Sequence, residues 1–146
     1  MSTLISYFSE DTDFELNSEK RTTDWLSKLV KTHQKILGDI TYIFCSDAYL
    51  LSINKEYLQH DTFTDIVTFN YNHSAIISGD IFISIDRVRE NAEKFAVSFE
   101  TELYRVVIHG ILHLCGFDHE ISEDEEKIME DFEVSLVKRI SDLKNN

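Results

Sequence analysis

A chain of 146 residues with 42% apolar content is long enough for one packed core, so residues 1–146 are expected to form a single domain. Two distant cysteines, Cys45 and Cys115, no secretory leader pattern and no apolar run near roughly eighteen residues argue against a disulfide framework and a membrane span; the expected location is the cytoplasm. Fourteen Lys and Arg against 27 Asp and Glu give a formal charge of -13, which weighs against a nucleic-acid partner held by charge alone.

Residues 3–8 (TLISYF) read as a short strand. From Ser18 to about Leu37, Trp25, Leu29 and Leu37, with Leu26, Val30 and Ile36 beside them, recur at helical spacing, and Gly38 supplies a stop. Residues 40–45 (ITYIFC) read as a strand, after which Ser46 and Asp47 cap a helix reaching about Leu58. The segments TDIVTFNY (64–71) and GDIFISI (79–85) alternate β-branched and aromatic residues across a loop containing Asn72, Ser78 and Gly79, and are expected to pair antiparallel. Asp86 is expected to cap a helix to about Val97, and Ser98 another running to Leu114. Ser122 and Glu125 form a capping box for a last helix over about 123–143. The carboxylate-rich stretch SEDEEKIMEDFE, Ser122–Glu133, reads as a solvated helix face. The sum is an α+β fold with about four strands in one mixed sheet and about five helices.

Three of the six histidines fall inside HGILHLCGFDH, His109 to His119. His109 and His113 are four apart on an expected helix, so they leave one face about 6 Å apart along the axis. Two imidazoles at that spacing can reach one metal ion. Cys115 lies about 200° further round the helix than His113 and faces away. Gly116 stands where a residue in left-handed conformation would end the helix, and the reversal brings His119 back to the same point. His33, His60 and His73, each isolated, read as packed or surface residues. Neutral imidazoles suit zinc, and three protein ligands leave a fourth position open for water or substrate. The spacing H-x3-H-x5-H with Gly between is that of the metzincin metalloproteases, in which Glu follows the first His as general base. Here that position is Gly110, which argues against a peptidase.

The same segment resembles the H-G-x-L-H-L-x-G-x-D-H signature of the YbeY family of bacterial rRNA maturation factors, which are metal-dependent endoribonucleases. NKEYLQHDTFTDIVTF (54–69) is similar to that family's N-x-x-Y…D…T-D-V-L-S-F segment, and GDIFIS (79–84) to G-D-I-x-I-S. The segments lie in family order and cover most of residues 40–120. The resemblance implies a zincin-like α+β domain, one zinc per chain held by His109, His113 and His119, and cleavage of single-stranded ribosomal RNA during its processing.

One departure stands out: many members carry Arg directly after the Tyr of the second segment, and here the position is Leu58. A leucine cannot grip a phosphate, so either another cation serves, with Lys55, Arg87 and Arg105 available, or phosphodiester binding differs in this branch. Arg105, one turn before His109, is the first candidate; its alternative is an exposed Arg paired with a neighbouring carboxylate. Asp118, beside His119, can orient that imidazole or accept a proton, or it can cap the turn and meet solvent. Asp65, in the family's T-D pair, is a candidate for substrate binding or for turn and strand-entry hydrogen bonding. Asp80 reads as structural, and the general base is unassigned. The competing readings are a ribosome-assembly binding protein with a structural metal, its acidic surface attracting basic ribosomal proteins, and a zinc hydrolase of another substrate such as a peptide.

Overall fold

The computed structural model describes residues 4–17, 19–58 and 64–116; the helix expected over 123–143 lies outside the described residues. In chain order the elements are β1 (Ile5–Ser9), α1 (Glu19–Thr32), β2 (Ile36–Cys45), α2 (Asp47–Leu58), β3 (Ile66–Asn70), β4 (Ile76–Ser84), α3 (Ile85–Lys94) and α4 (Phe99–Leu114). The strands form one four-stranded mixed sheet ordered β1-β2-β4-β3, with β1, β2 and β4 parallel and β3 antiparallel to β4. The α+β class and the antiparallel pairing of β3 with β4 therefore hold.

Strand alternation assigns the two faces of the sheet. Ile40, Tyr42 and Phe44 of β2 and Ile77, Ile81 and Ile83 of β4 point one way, into a core completed by Leu26, Leu29 and Val30 of α1 and Val107 and Ile111 of α4. Cys45, Val67, Phe69 and Phe82 point the other way, against Leu50 and Ile53 of α2. Helix α3 packs on α4. Two polar contacts fix where α4 lies. The fully buried Tyr42 donates its hydroxyl to the Val107 carbonyl at 2.7 Å. Asn72 donates from Nδ2 to the Leu114 carbonyl at 2.8 Å while its Oδ1 accepts from the Ser78 N–H at 2.8 Å, tying the end of α4 to the β3–β4 turn.

Helix ends depart from the sequence expectation for one physical reason. Helix α1 stops at Thr32, well before Leu37, because Gln34 turns the chain at φ +60°. The Gln34 N–H then bonds to the Lys31 carbonyl at 2.9 Å and the Lys35 N–H to the Val30 carbonyl at 3.1 Å, the paired bonds of a Schellman close. Ile36 and Leu37 are thereby released to pair with Ile76 and Ile77, and Gly38 lies inside β2 rather than ending a helix. Helix α3 ends in the same way at Ala96, φ +56°, with Ala96 N–H to Glu93 O at 3.2 Å and Val97 N–H to Ala92 O at 3.0 Å.

Helix starts follow hydroxyl caps. Ser46 Oγ accepts from the Tyr49 N–H at 3.1 Å and Ser98 Oγ from the Thr101 N–H at 3.1 Å, as expected. At α3 the cap is Ser84, which accepts from the Arg87 N–H at 3.2 Å, and not Asp86. Asp86 instead accepts the Asp47 N–H at 2.8 Å, so its carboxylate serves the start of α2.

The positive φ of Ala96 is a conformation that an L side chain resists and glycine does not. Ala96→Gly is expected to raise unfolding stability by up to about 1 kcal/mol, net of the entropy glycine adds to the unfolded chain. The measurement is the urea midpoint at unchanged slope; an unchanged or lower midpoint would show that the turn carries no strain.

Candidate metal centre

From Thr101 to Cys115, α4 and its cap residue are buried at every position except Thr101, Arg105, His109 and His113. These four stand four residues apart, so they form a single stripe along an otherwise enclosed helix. The stripe carries both helical histidines of the motif. Their ring centroids are 4.5 Å apart with the planes tilted by 57°, so two imidazoles converge on one patch of surface.

Burial holds the His109 imidazole below the ordinary value of 6.5; the field of Asp65 opposes that shift and the field of Arg105 adds to it. A neutral imidazole is the ligating form. Cys115 does not share the stripe: it packs in the core, and burial pushes its thiol up to about 11, so it stays protonated at neutral pH. Gly116 has φ +106° and donates its N–H to the His113 carbonyl at 3.0 Å, closing α4 where a left-handed residue was expected.

Asp118 and His119 lie outside the described residues, and among the described residues no group of three or more metal-ligating side chains occurs. The spacing of the two helical rings, and the burial that disfavours charging of His109, nonetheless suit a borderline-soft divalent ion.

The other sequence candidates fall as follows. Asp65 lies just before β3, where its carbonyl accepts from the Ser84 N–H at 3.0 Å, and its charge is felt at His109, Glu102 and Arg87. The strand-entry role and proximity to the stripe thus coexist. Arg105 is half exposed, its Nη1 is 3.8 Å from Oε1 of Glu102, and its guanidinium lies 5.7 Å from the centre of the Phe95 ring. Arg87 is engaged by Asp47 at 3.1 Å and Glu90 at 3.4 Å. Asp80 accepts from the Tyr71 hydroxyl at 3.2 Å, a structural tie. Leu58 is the last residue of α2.

Gly110 faces the sheet. A Cβ there would stand 2.8 Å from Cγ2 of Ile81 and 3.0 Å from Cδ1 of Ile66, closer than carbon atoms pack. The position that carries the general base in metzincins is here a close helix–sheet contact. Sequence reasoning did not single out Glu102 and Phe95, nor Asn72 as a clamp. Glu102 is only 3% exposed, and burial raises its carboxyl pKa, opposed by Arg105 and assisted by Asp65. The one sequence signal for Glu102 was its position three residues before Arg105.

The family model described as Endoribonuclease YbeY matches residues 5–141. Endoribonuclease YbeY of Flavobacterium johnsoniae is 52% identical over 119 residues, spanning 82% of this chain and 86% of its own length. The protein of the same name from Phocaeicola vulgatus is 46% identical over 138 residues, 94% of this chain and 99% of its own. A Thermotoga maritima protein solved in solution superposes with a TM-score of 0.61 at 30% identity, covering 97% of this chain and 93% of its own.

Two outcomes are expected. Gly110→Glu should lose about 3 kcal/mol or more of stability, since it overpacks the helix–sheet contact and buries an unpaired carboxylate, and it should confer no peptidase activity. Thermal unfolding and a peptide-hydrolysis assay check this; a stable, active variant would contradict the packing. In metal-free protein the His109 ring should titrate below 6.5 when followed by NMR, and a value above 6.5 would show that the field of Asp65 outweighs burial.

Proposed function

This chain belongs to the endoribonuclease YbeY family, and from that membership we propose that it is a zinc-dependent, single-strand-specific endoribonuclease acting in ribosomal RNA processing in the cytoplasm. One zinc per chain is held by His109, His113 and His119. The observation that carries the reading is the pair of converging imidazoles on the open stripe of α4, followed by the Gly116 turn three residues before His119 in the sequence. No helix among the described residues is long and apolar enough to cross a membrane.

When bound, zinc supplies a Lewis acid that stabilises negative charge developing on a phosphodiester oxygen. The chain's own residues do the rest. His109 presents a neutral nitrogen because burial keeps it from charging, and His113 lies beside it on the same stripe. Asp118 orients His119 or takes a proton at the site. Arg105, on the same stripe, offers the cation that Leu58 does not, and Asp65 borders the substrate side near His109. The formal charge of -13 favours a second reading, a ribosome-assembly binding protein with a structural metal and basic protein partners.

Protein purified without chelator is expected to carry about one equivalent of zinc and to cut single-stranded RNA faster than duplex, with chelator abolishing cleavage. His113→Ala should lose the metal and slow cleavage about a hundredfold or more, the scale of several kcal/mol of charge stabilisation. Full zinc occupancy without RNA cleavage would favour the binding-protein reading; cleavage undiminished in His113→Ala would assign the activity to a contaminant.

A further inference from the structure

Phe95 ends α3 with its side chain half in solvent, held out by the turn at Ala96. Two cations approach its ring: Nζ of Lys94 at 5.9 Å from the centroid and the guanidinium carbon of Arg105 at 5.7 Å. Arg105 stands on the open stripe one turn before His109, close enough that its charge is felt at that imidazole. The Glu102 side chain is only 4% exposed, so the carboxylate that meets Nη1 of Arg105 is fixed in the wall of the helix. In a chain with 27 acidic and 14 basic side chains, an exposed aromatic ring approached by two cations, one of them on the stripe that carries His109, goes against the prevailing charge. Single-strand binding surfaces use these parts together: a cation takes the phosphate, and a flat ring takes the base regardless of its identity.

Building on the endoribonuclease reading, we propose that Lys94, Phe95 and Arg105 form a nucleotide subsite for the single-stranded RNA residue next to the bond that is cut. Arg105 binds a phosphate of that residue, Phe95 stacks its base, and Lys94 adds a second positive charge at the outer edge. The subsite supplies on α3 and α4 the grip that Leu58 cannot supply from α2. It also gives a physical basis for single-strand preference, since a base must leave a duplex to reach the ring.

The test is binding of a single-stranded, 2′-O-methylated oligonucleotide to the zinc-loaded protein, followed by fluorescence anisotropy across a salt series. Phe95→Ala is expected to weaken binding roughly fivefold to tenfold with the salt dependence unchanged, as loss of stacking requires. Phe95→Leu keeps apolar bulk without a flat ring and should weaken binding likewise. Arg105→Gln is expected to weaken binding and to reduce the slope of log affinity against log salt by about 0.7, one phosphate contact on a single strand. Zinc content should match wild type in all three, and melting temperature in the two Phe95 variants. Wild-type affinity and slope in these variants would overturn the subsite, while chelator-sensitive RNA cleavage by the same preparations would leave the nuclease reading standing. Failure of the wild type both to bind and to cut RNA would overturn the two together.

Discussion

Enclosure of α4 on all but one side is the constraint on which the rest of the structure depends. A helix walled in by a sheet and neighbouring helices can present chemistry only where the wall opens, and here the opening is one residue wide with a period of four. Arg105, His109 and His113 fall in that opening because the sequence places apolar residues or Gly at most of the other positions from Leu103 to Leu114. Rigidity follows from the same packing. Tyr42 reaches across from β2 to the Val107 carbonyl, and Asn72 holds the carbonyl of Leu114, so the rotation and the end of the helix are both fixed. Gly110 sets its depth by letting the helix backbone settle against Ile81 and Ile66.

Depth also governs the electrostatics. Partial burial makes protonation of His109 unfavourable, which suits a ligand but would disable an imidazole that had to carry charge. Asp65 and Arg105 act on His109 with opposite signs, so burial is the largest influence. Glu102 shows the same balance from the acid side: burial raises it, and the nearby Arg105 partly restores the ionised form. A chain of charge -13 can thus bring two cations to one exposed ring near its candidate metal centre, because Lys94, Phe95 and Arg105 stand at the end of α3 and on α4.

The sequence was legible where residue type carries the constraint and opaque where tertiary contact does. Gly116 announced the end of α4 because φ +106° lies beyond the left-handed region that L residues visit, so glycine is required. Gln34 and Ala96 perform the same turn at +60° and +56°, a region L residues reach only at a cost, and neither Gln nor Ala is a type that announces it. That is why α1 reads from sequence as running on to Leu37, although Ile36 and Leu37 pair with β4. Asp86 and Ser84 are both good caps by type, and only the approach of Asp47 decides between them. The two helical histidines were readable from spacing alone, whereas the Asn72 clamp joins residues 42 apart in the chain and had no local signature.

The central claim is that this stripe, closed by the Gly116 turn, gathers His109, His113 and His119 around one ion while Cys115 is turned into the core. X-ray absorption at the zinc edge of the zinc-loaded protein addresses it directly. The account predicts three imidazole nitrogens at about 2.0–2.1 Å with one further light atom, and no sulfur. A sulfur shell at about 2.3 Å, or only two imidazoles, would contradict it.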